Sequence, residues 1–256
     1  MNDEIGFTEF HKDAVKKLGP LLTAARSFFQ IGRAMMNATA SGQLQDIAKQ
    51  ITQIVANSME SVVFLVCNGC GLDALRIART MFESAVTLHY IDSHPELVKD
   101  YVDFQWVIQK KHYDYRRQLP ADKVKPIGIA PEKVAEMLAR YKQVAGRFTD
   151  KKGRIRNSWC KTNLKDMAKE VGGESMYGAI YPFGSSMTHT DILAVIAGAY
   201  ETGGDVKPVP SEANLPLALQ IAVTSYAMML TALDKIANLG QGDSIEAAFT
   251  QFKNAS

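Results

Sequence analysis

Helical spacing of apolar residues dominates this chain, and nowhere does an alternating run of β-branched residues close on an Asn-Gly or Asp-Gly hairpin turn. A chain so patterned has to bury its apolar stripes helix against helix, so the expected fold is all-α, a bundle of roughly eight helices. The punctuation divides it. A first helical region from Thr8 to Thr39 is interrupted at Gly19-Pro20, where the proline removes a donor and opens a new first turn. A second runs from Leu44 to Asn68 and stops at Asn68-Gly69 and Gly71. Asp73 caps a third through Ile91, Pro95 starts a fourth to Gln118, and Glu132 to Phe148 reads as a fifth. Asn163 to Val171 is a short helix before Gly172-Gly173, and the last pair is expected at Thr188 to Tyr200 and Asn214 to Asn238.

At 256 residues the chain is long for one domain but within the usual range, so a single all-α domain over 1–256 is the expectation, with a basic excursion at about 109–170. Three cysteines, and no charged segment leading into an apolar one at Met1, point to a reducing cytoplasm. Leu215 to Leu233 carries no charge for 19 residues, but Pro216, Gln220, Thr224, Ser225 and Thr231 interrupt it. It reads as a buried bundle helix, so no membrane is expected.

The net charge of +2 hides a division. Between Gln109 and Glu170 there are 17 Lys or Arg against 7 Asp or Glu, and elsewhere 12 against 20. Within the basic third, Lys151, Lys152, Arg154, Arg156 and Trp159 combine phosphate-neutralising cations with a ring able to stack on an unpaired base, a pattern suited to single-stranded RNA. The same pattern also fits a solvated helix face, or a patch docking on the acidic part of a second subunit, and a homo-oligomer is expected.

Charged residues also stand where apolar ones belong. Leu72, Leu75, Arg79, Phe82, Glu83, Val86 and Tyr90 share one helical stripe, and Ile77, Met81 and Leu88 make the other side apolar too. Arg79 and Glu83 are therefore expected to be buried and paired at i,i+4, either as a structural ion pair or as part of a polar site. Ser185, His189, Ile192, Leu193, Ile196 and Tyr200 fall on a second stripe if the helix there includes Ser185. Thr188-x-x-Asp191 matches a capping box, which would put His189 in a first turn where the helix dipole favours neutral imidazole. His189 is then either a hydrogen-bonded core residue or a general base. Cys67-Asn-Gly-Cys70 lacks the βαβ setting of a redox motif. Cys160 has no histidine at ligand spacing, and no phosphate loop or nucleophile elbow occurs, so neither metal nor cofactor is expected.

Arg79-Thr-Met-Phe-Glu83, Trp159, Leu164 through Gly172, and Tyr177 through Ser185-Ser-Met-Thr-His189 together resemble a bacterial family known as domain of unknown function 5677. The resemblance covers about Glu60 to Tyr200 and implies an all-α fold. That family is in turn distantly similar to HEPN helical bundles, many of them dimeric RNases of toxin–antitoxin and phage-defence systems. In those, an Arg four to six residues before a His acts with it on the scissile phosphate without a metal. Here Pro182 to Thr188, ahead of His189, contains no arginine, so Arg79 would have to serve. The resemblance thus implies a HEPN-like core that binds or cleaves RNA at Arg79, Glu83, Ser185 and His189. The alternative is a non-catalytic scaffold bundle acting through protein partners or a small ligand.

Overall fold

The computed structural model describes residues 7–119, 130–189, 212 and 214–255, with side chains at 10–119, 130–181, 212 and 214–255. Among them are ten α-helices: α1 Phe7–Lys17, α2 Gly19–Ala38, α3 Gln43–Cys67, α4 Gly71–Ser93, α5 Val98–Arg117, α6 Pro131–Val144, α7 Leu164–Glu170, α8 Glu174–His189, α9 Leu215–Ala237 and α10 Gly242–Ala255. The all-α expectation is met, with no strand among the described residues and only an isolated bridge between Thr149 and Ile155. The chain forms two compact units, one of Met1–Ser93 with Leu164–Ser256, the other of His94–Asn163.

The larger unit is organised about α9. Its residues Leu219, Ala222, Val223, Tyr226, Met229, Leu230 and Leu233 are fully buried, because α2, α3 and α4 pack against it on different sides. The uncharged stretch from Leu215 to Leu233 follows from this: most of its positions are enclosed, and the helix carries its charges, Asp234 and Lys235, only in its last turn. α4 is enclosed in the same way, with Ala74, Ala78, Phe82, Ala85, Val86, Leu88 and Ile91 inaccessible. Its small residues let neighbours approach, and α7 and α8 cover the side that α3 and α9 leave.

Two features were not anticipated. α8 runs through Pro182 and Gly184, residues that ordinarily argue for a break. Thr188 and His189 therefore both lie inside α8, so Thr188 is not the expected N-cap and His189 is not in a first turn. The remainder of the Thr188 to Tyr200 helix, and the Gly203 to Pro210 loop, lie outside the described residues. The second feature is α10, whose Ile245, Ala248 and Phe252 pack its buried stripe against α2 and α9.

α2 approaches α9 closely at Gly32. A Cβ added at Gly32 would stand 2.1 Å from the Tyr226 hydroxyl oxygen and 3.0 Å from its ring carbon Cζ. That buried hydroxyl has no hydrogen-bond partner among the described residues. Burial, with a smaller contribution from Glu60, pushes the phenol well above its ordinary range. Gly32→Ala should therefore destabilise the protein by about 2 kcal/mol through overpacking, against the usual gain from alanine in a helix. Tyr226→Phe alone should be neutral or stabilising by about 1 kcal/mol, since it removes an unsatisfied polar group, and it should recover part of the Gly32→Ala loss in the double variant. Urea titration of the three variants checks both statements.

His89 ties α4 to α9 through Nε2, 2.8 Å from the Met228 carbonyl oxygen. Burial pushes its pKa below 6.5, opposed by the Met228 bond and Asp92, with Lys235 adding to the depression. The unfolded chain then binds the proton more readily, so this group's contribution is present above about pH 6.5 and is lost as pH falls through the lower folded value. Between pH 7 and pH 5 the melting temperature should fall less steeply in His89→Gln than in the unaltered protein.

Candidate functional site

Arg79 and Glu83 stand one turn apart on α4, at the face covered by α7 and α8. Arg79 is only 9% exposed, as the stripe requires. Its Nη2 lies 2.9 Å from Glu83 Oε1, with side-chain exposures of 11% and 33%. That oxygen is buried and makes no hydrogen bond of good geometry, so the two are held by charge rather than by an aimed N–H. The other face of the guanidinium is closed by α8: its carbon sits 4.5 Å from the centroid of the Tyr181 ring. Tyr177, one turn earlier, stacks on Tyr181 at 4.6 Å and 14°. Arg79 thus lies between a carboxylate and an aromatic face, both of which attract a cation.

The neighbouring phenol shows the balance of charge. Tyr177 is pushed above its ordinary pKa first by burial, then by Tyr181, while Arg79 draws it down and Glu83 and Asp166 of α7 push it up. It remains protonated at neutral pH and can donate a hydrogen bond, but is no base.

Ser185 and His189 continue the same helix at four-residue intervals, on backbone positions one and two turns beyond Tyr181. Each interval rises about 6 Å along the axis. Their side chains lie outside the described residues. The aromatic half of the cluster was missed because Pro182 and Gly184 disguise the helix; the recurrence Tyr177, Tyr181, Ser185, His189 at every fourth position was the available signal.

The basic residues lie in the smaller unit. Phe104 and Val107 of α5 pack with Val144 and Phe148, and Trp106, Tyr141, Ile155 and Trp159 pack against that cluster. From it projects a short hairpin. Asp150 N–H donates to the Arg154 carbonyl at 2.8 Å, Arg156 N–H to the Phe148 carbonyl at 2.8 Å, and Gly153 N–H to the Asp150 carbonyl at 3.0 Å. Gly153 has φ +75°, a left-handed position that favours glycine. The Asp150 carboxylate fastens the tip by accepting from the backbone N–H groups of Lys152 at 2.8 Å and Arg154 at 2.9 Å. Those bonds, that of Arg154 foremost, hold its pKa below the ordinary carboxylate range.

The expected cations are thus sorted. Lys151 and Lys152 are exposed at the tip. Arg154 is exposed but pairs with Asp150 at 3.0 Å. Arg156 Nη2 donates to the Arg147 carbonyl at 3.1 Å, and its guanidinium lies 5.6 Å from the Phe148 centroid. Arg147 is paired with Asp100 and Asp103 of α5. Trp159 meets Tyr101 edge-on at 5.2 Å, so its ring also serves the unit's core. Cys67 and Cys70 are elsewhere, at the turn between α3 and α4, and burial pushes both thiols up, away from the reactive thiolate.

Arg79→Met should destabilise the larger unit by about 2 kcal/mol, less than for a fully buried pair because Glu83 keeps some access to water. Adding Glu83→Leu should restore most of that stability, since the carboxylate without its counter-ion is then gone. Thermal melts of both variants read this out.

No curated protein and no solved structure matches the chain significantly. A family of unknown function, DUF5677, matches residues 46–198, which is more than half of the chain and runs from α3 past α8, enclosing both the Arg79 cluster and the basic hairpin. On that match the chain belongs to the DUF5677 family.

Proposed function

We propose that this protein binds single-stranded RNA through the smaller unit, with Lys151 and Lys152 touching phosphates. The observation that carries this reading is the hairpin tip. Two exposed lysines stand on a backbone fixed by Asp150, within a region where cations outnumber acids 17 to 7. A fixed loop loses little entropy on binding, so its charges act more effectively than the same charges on a loose tail. Arg154 adds a cation partly neutralised by Asp150, and Arg156 and Trp159 support the platform from which the tip projects.

The larger unit, in this proposal, is a HEPN-like bundle, and the protein is a cytoplasmic homodimer acting in phage defence or a stress response. In a catalytic version His189 is the general base for a ribose 2′-hydroxyl, Arg79 stabilises the phosphate, and Glu83 and Ser185 complete the site. The geometry at Arg79 favours binding over cleavage, because a guanidinium facing Glu83 and Tyr181 has less field to offer a phosphate. It also favours, as a second reading, a scaffold bundle in which that cluster is purely internal.

Binding of a labelled single-stranded RNA should weaken as salt rises. Replacing Lys151 and Lys152 by Gln should lower the slope of log K against log salt by about 1.4, near 0.7 for each phosphate no longer neutralised. Arg154→Gln should lower it less. Any cleavage should persist with chelator and vanish in His189→Ala, with binding unchanged. Absence of salt-sensitive binding at low ionic strength would leave the scaffold reading.

A further inference from the structure

The smaller unit keeps its aromatic rings in contact with neighbours, with one exception. Phe104 meets Phe148 at 5.1 Å and Tyr101 meets Trp159 at 5.2 Å, both edge-on. Tyr141 lies 5.4 Å from the Lys110 ammonium, Tyr113 lies 5.7 Å from the Arg117 guanidinium, and Trp106 packs on the apolar cluster. Tyr115 makes no such contact among the described residues and is 65% exposed, more than any other large hydrophobic residue of the unit. Its neighbours along α5 are cationic. Lys111 and Arg117 are exposed, Arg116 is half-buried, and the one acid between Lys110 and Arg117 is Asp114, which pairs with Lys110. The same side of α5 is tied to the base of the hairpin. Lys111 Nζ donates to Asn157 Oδ1 at 2.7 Å, and Asn157 follows Arg156, whose N–H bonds to the Phe148 carbonyl. Tyr115 stands four residues beyond Lys111, on that side of the helix and about 6 Å further along its axis.

We infer that Tyr115 is a base-stacking residue, receiving an unpaired base of the same RNA strand whose phosphates meet Lys151 and Lys152. This rests on the RNA-binding reading and adds to it the ring that the hairpin tip lacks. Binding of a single strand combines cations that follow the backbone with rings on which bases stack. A stacking ring has to offer a face to solvent. Trp159, the ring nearest the hairpin in sequence, is half-buried and packs against Tyr101 and the apolar cluster, so a base could take its face only by disturbing that packing. Tyr115 offers its ring without such disturbance. It is carried on a helix rather than a loose loop, and a tyrosine has only two side-chain torsions to fix, so little freedom is lost when a base settles on it. Lys111 and Arg117 then supply charge for the phosphates on either side of the stacked base.

The test uses the full chain and two labelled strands of about twelve nucleotides, one of adenylates and one of abasic ribose phosphates, which carry the same charge. The unaltered protein should bind the adenylate strand about tenfold more tightly, the advantage of one stacked base. Tyr115→Leu should lose that advantage and bind both strands alike, with its helical circular dichroism and its salt slope unchanged, because no phosphate contact is removed. Tyr115→Phe should keep the advantage, since the ring stacks and the hydroxyl does not. Adenylate binding that responds to salt and to Lys151→Gln with Lys152→Gln, yet is the same in Tyr115→Leu, would overturn the stacking role and leave the RNA-binding reading in place. A loss in Tyr115→Leu that is equal on both strands would also overturn it, as a structural effect. Absence of salt-sensitive binding to either strand would overturn both.

Discussion

The larger unit depends on the burial of α9 by α2, α3 and α4. The enclosed positions of such a helix leave little room for unpaired charge or unsatisfied polar groups, and α9 meets that demand with hydroxyls that bond backward. Ser225 donates to the Ile221 carbonyl and Thr224 to the Gln220 carbonyl. The cost falls at Tyr226, whose hydroxyl is buried without a partner among the described residues. Gly32 is the compensation: only a residue without a side chain lets α2 approach a tyrosine that fills the space between the two helices. Close packing, not a polar network, sets the distance between these two helices.

Against that apolar centre, the cluster at Arg79 is where the described part of the bundle holds a nearly buried charge. Burial of a guanidinium is tolerated because two helices contribute to it: Glu83 from α4 itself and Tyr181 from α8. The cluster therefore joins α8 to α4 through a charged contact, where α3 and α9 meet α4 through hydrophobic packing. Ion pairs of this kind are weak as a source of stability but selective in geometry. That selectivity is useful to a scaffold and equally to a binding site, which is why the cluster by itself does not point to catalysis.

The bundle and the pairing of Arg79 with Glu83 were legible in the sequence because both follow from a single period. Apolar positions repeating near 3.6 residues give α3, α4 and α9, and two charges set into such a stripe have to meet. α8 was not legible, since Pro182 and Gly184 outweigh its i,i+4 recurrence in any local reading; tertiary cover from α4 and α7 overrides their propensity. α10 was missed because its buried stripe is only Ile245, Ala248 and Phe252. In the basic region the composition was plain, but composition does not say which charges are spent. That depends on pairings such as Arg147 with Asp100 and Asp103, separated by over forty residues.

Segregation of charge between the two units has a physical consequence for how the protein presents itself. Acids outnumber cations in the larger unit, cations outnumber acids in the smaller one, and four of the latter's cations stand on a hairpin fixed by one aspartate. In the proposed RNA-binding reading, charge would draw a strand to the hairpin and give it a preferred location without any base-specific recognition. In that reading charge placement selects where a strand binds, and the packing of Phe104, Val107, Val144 and Phe148 holds together the platform from which the hairpin projects.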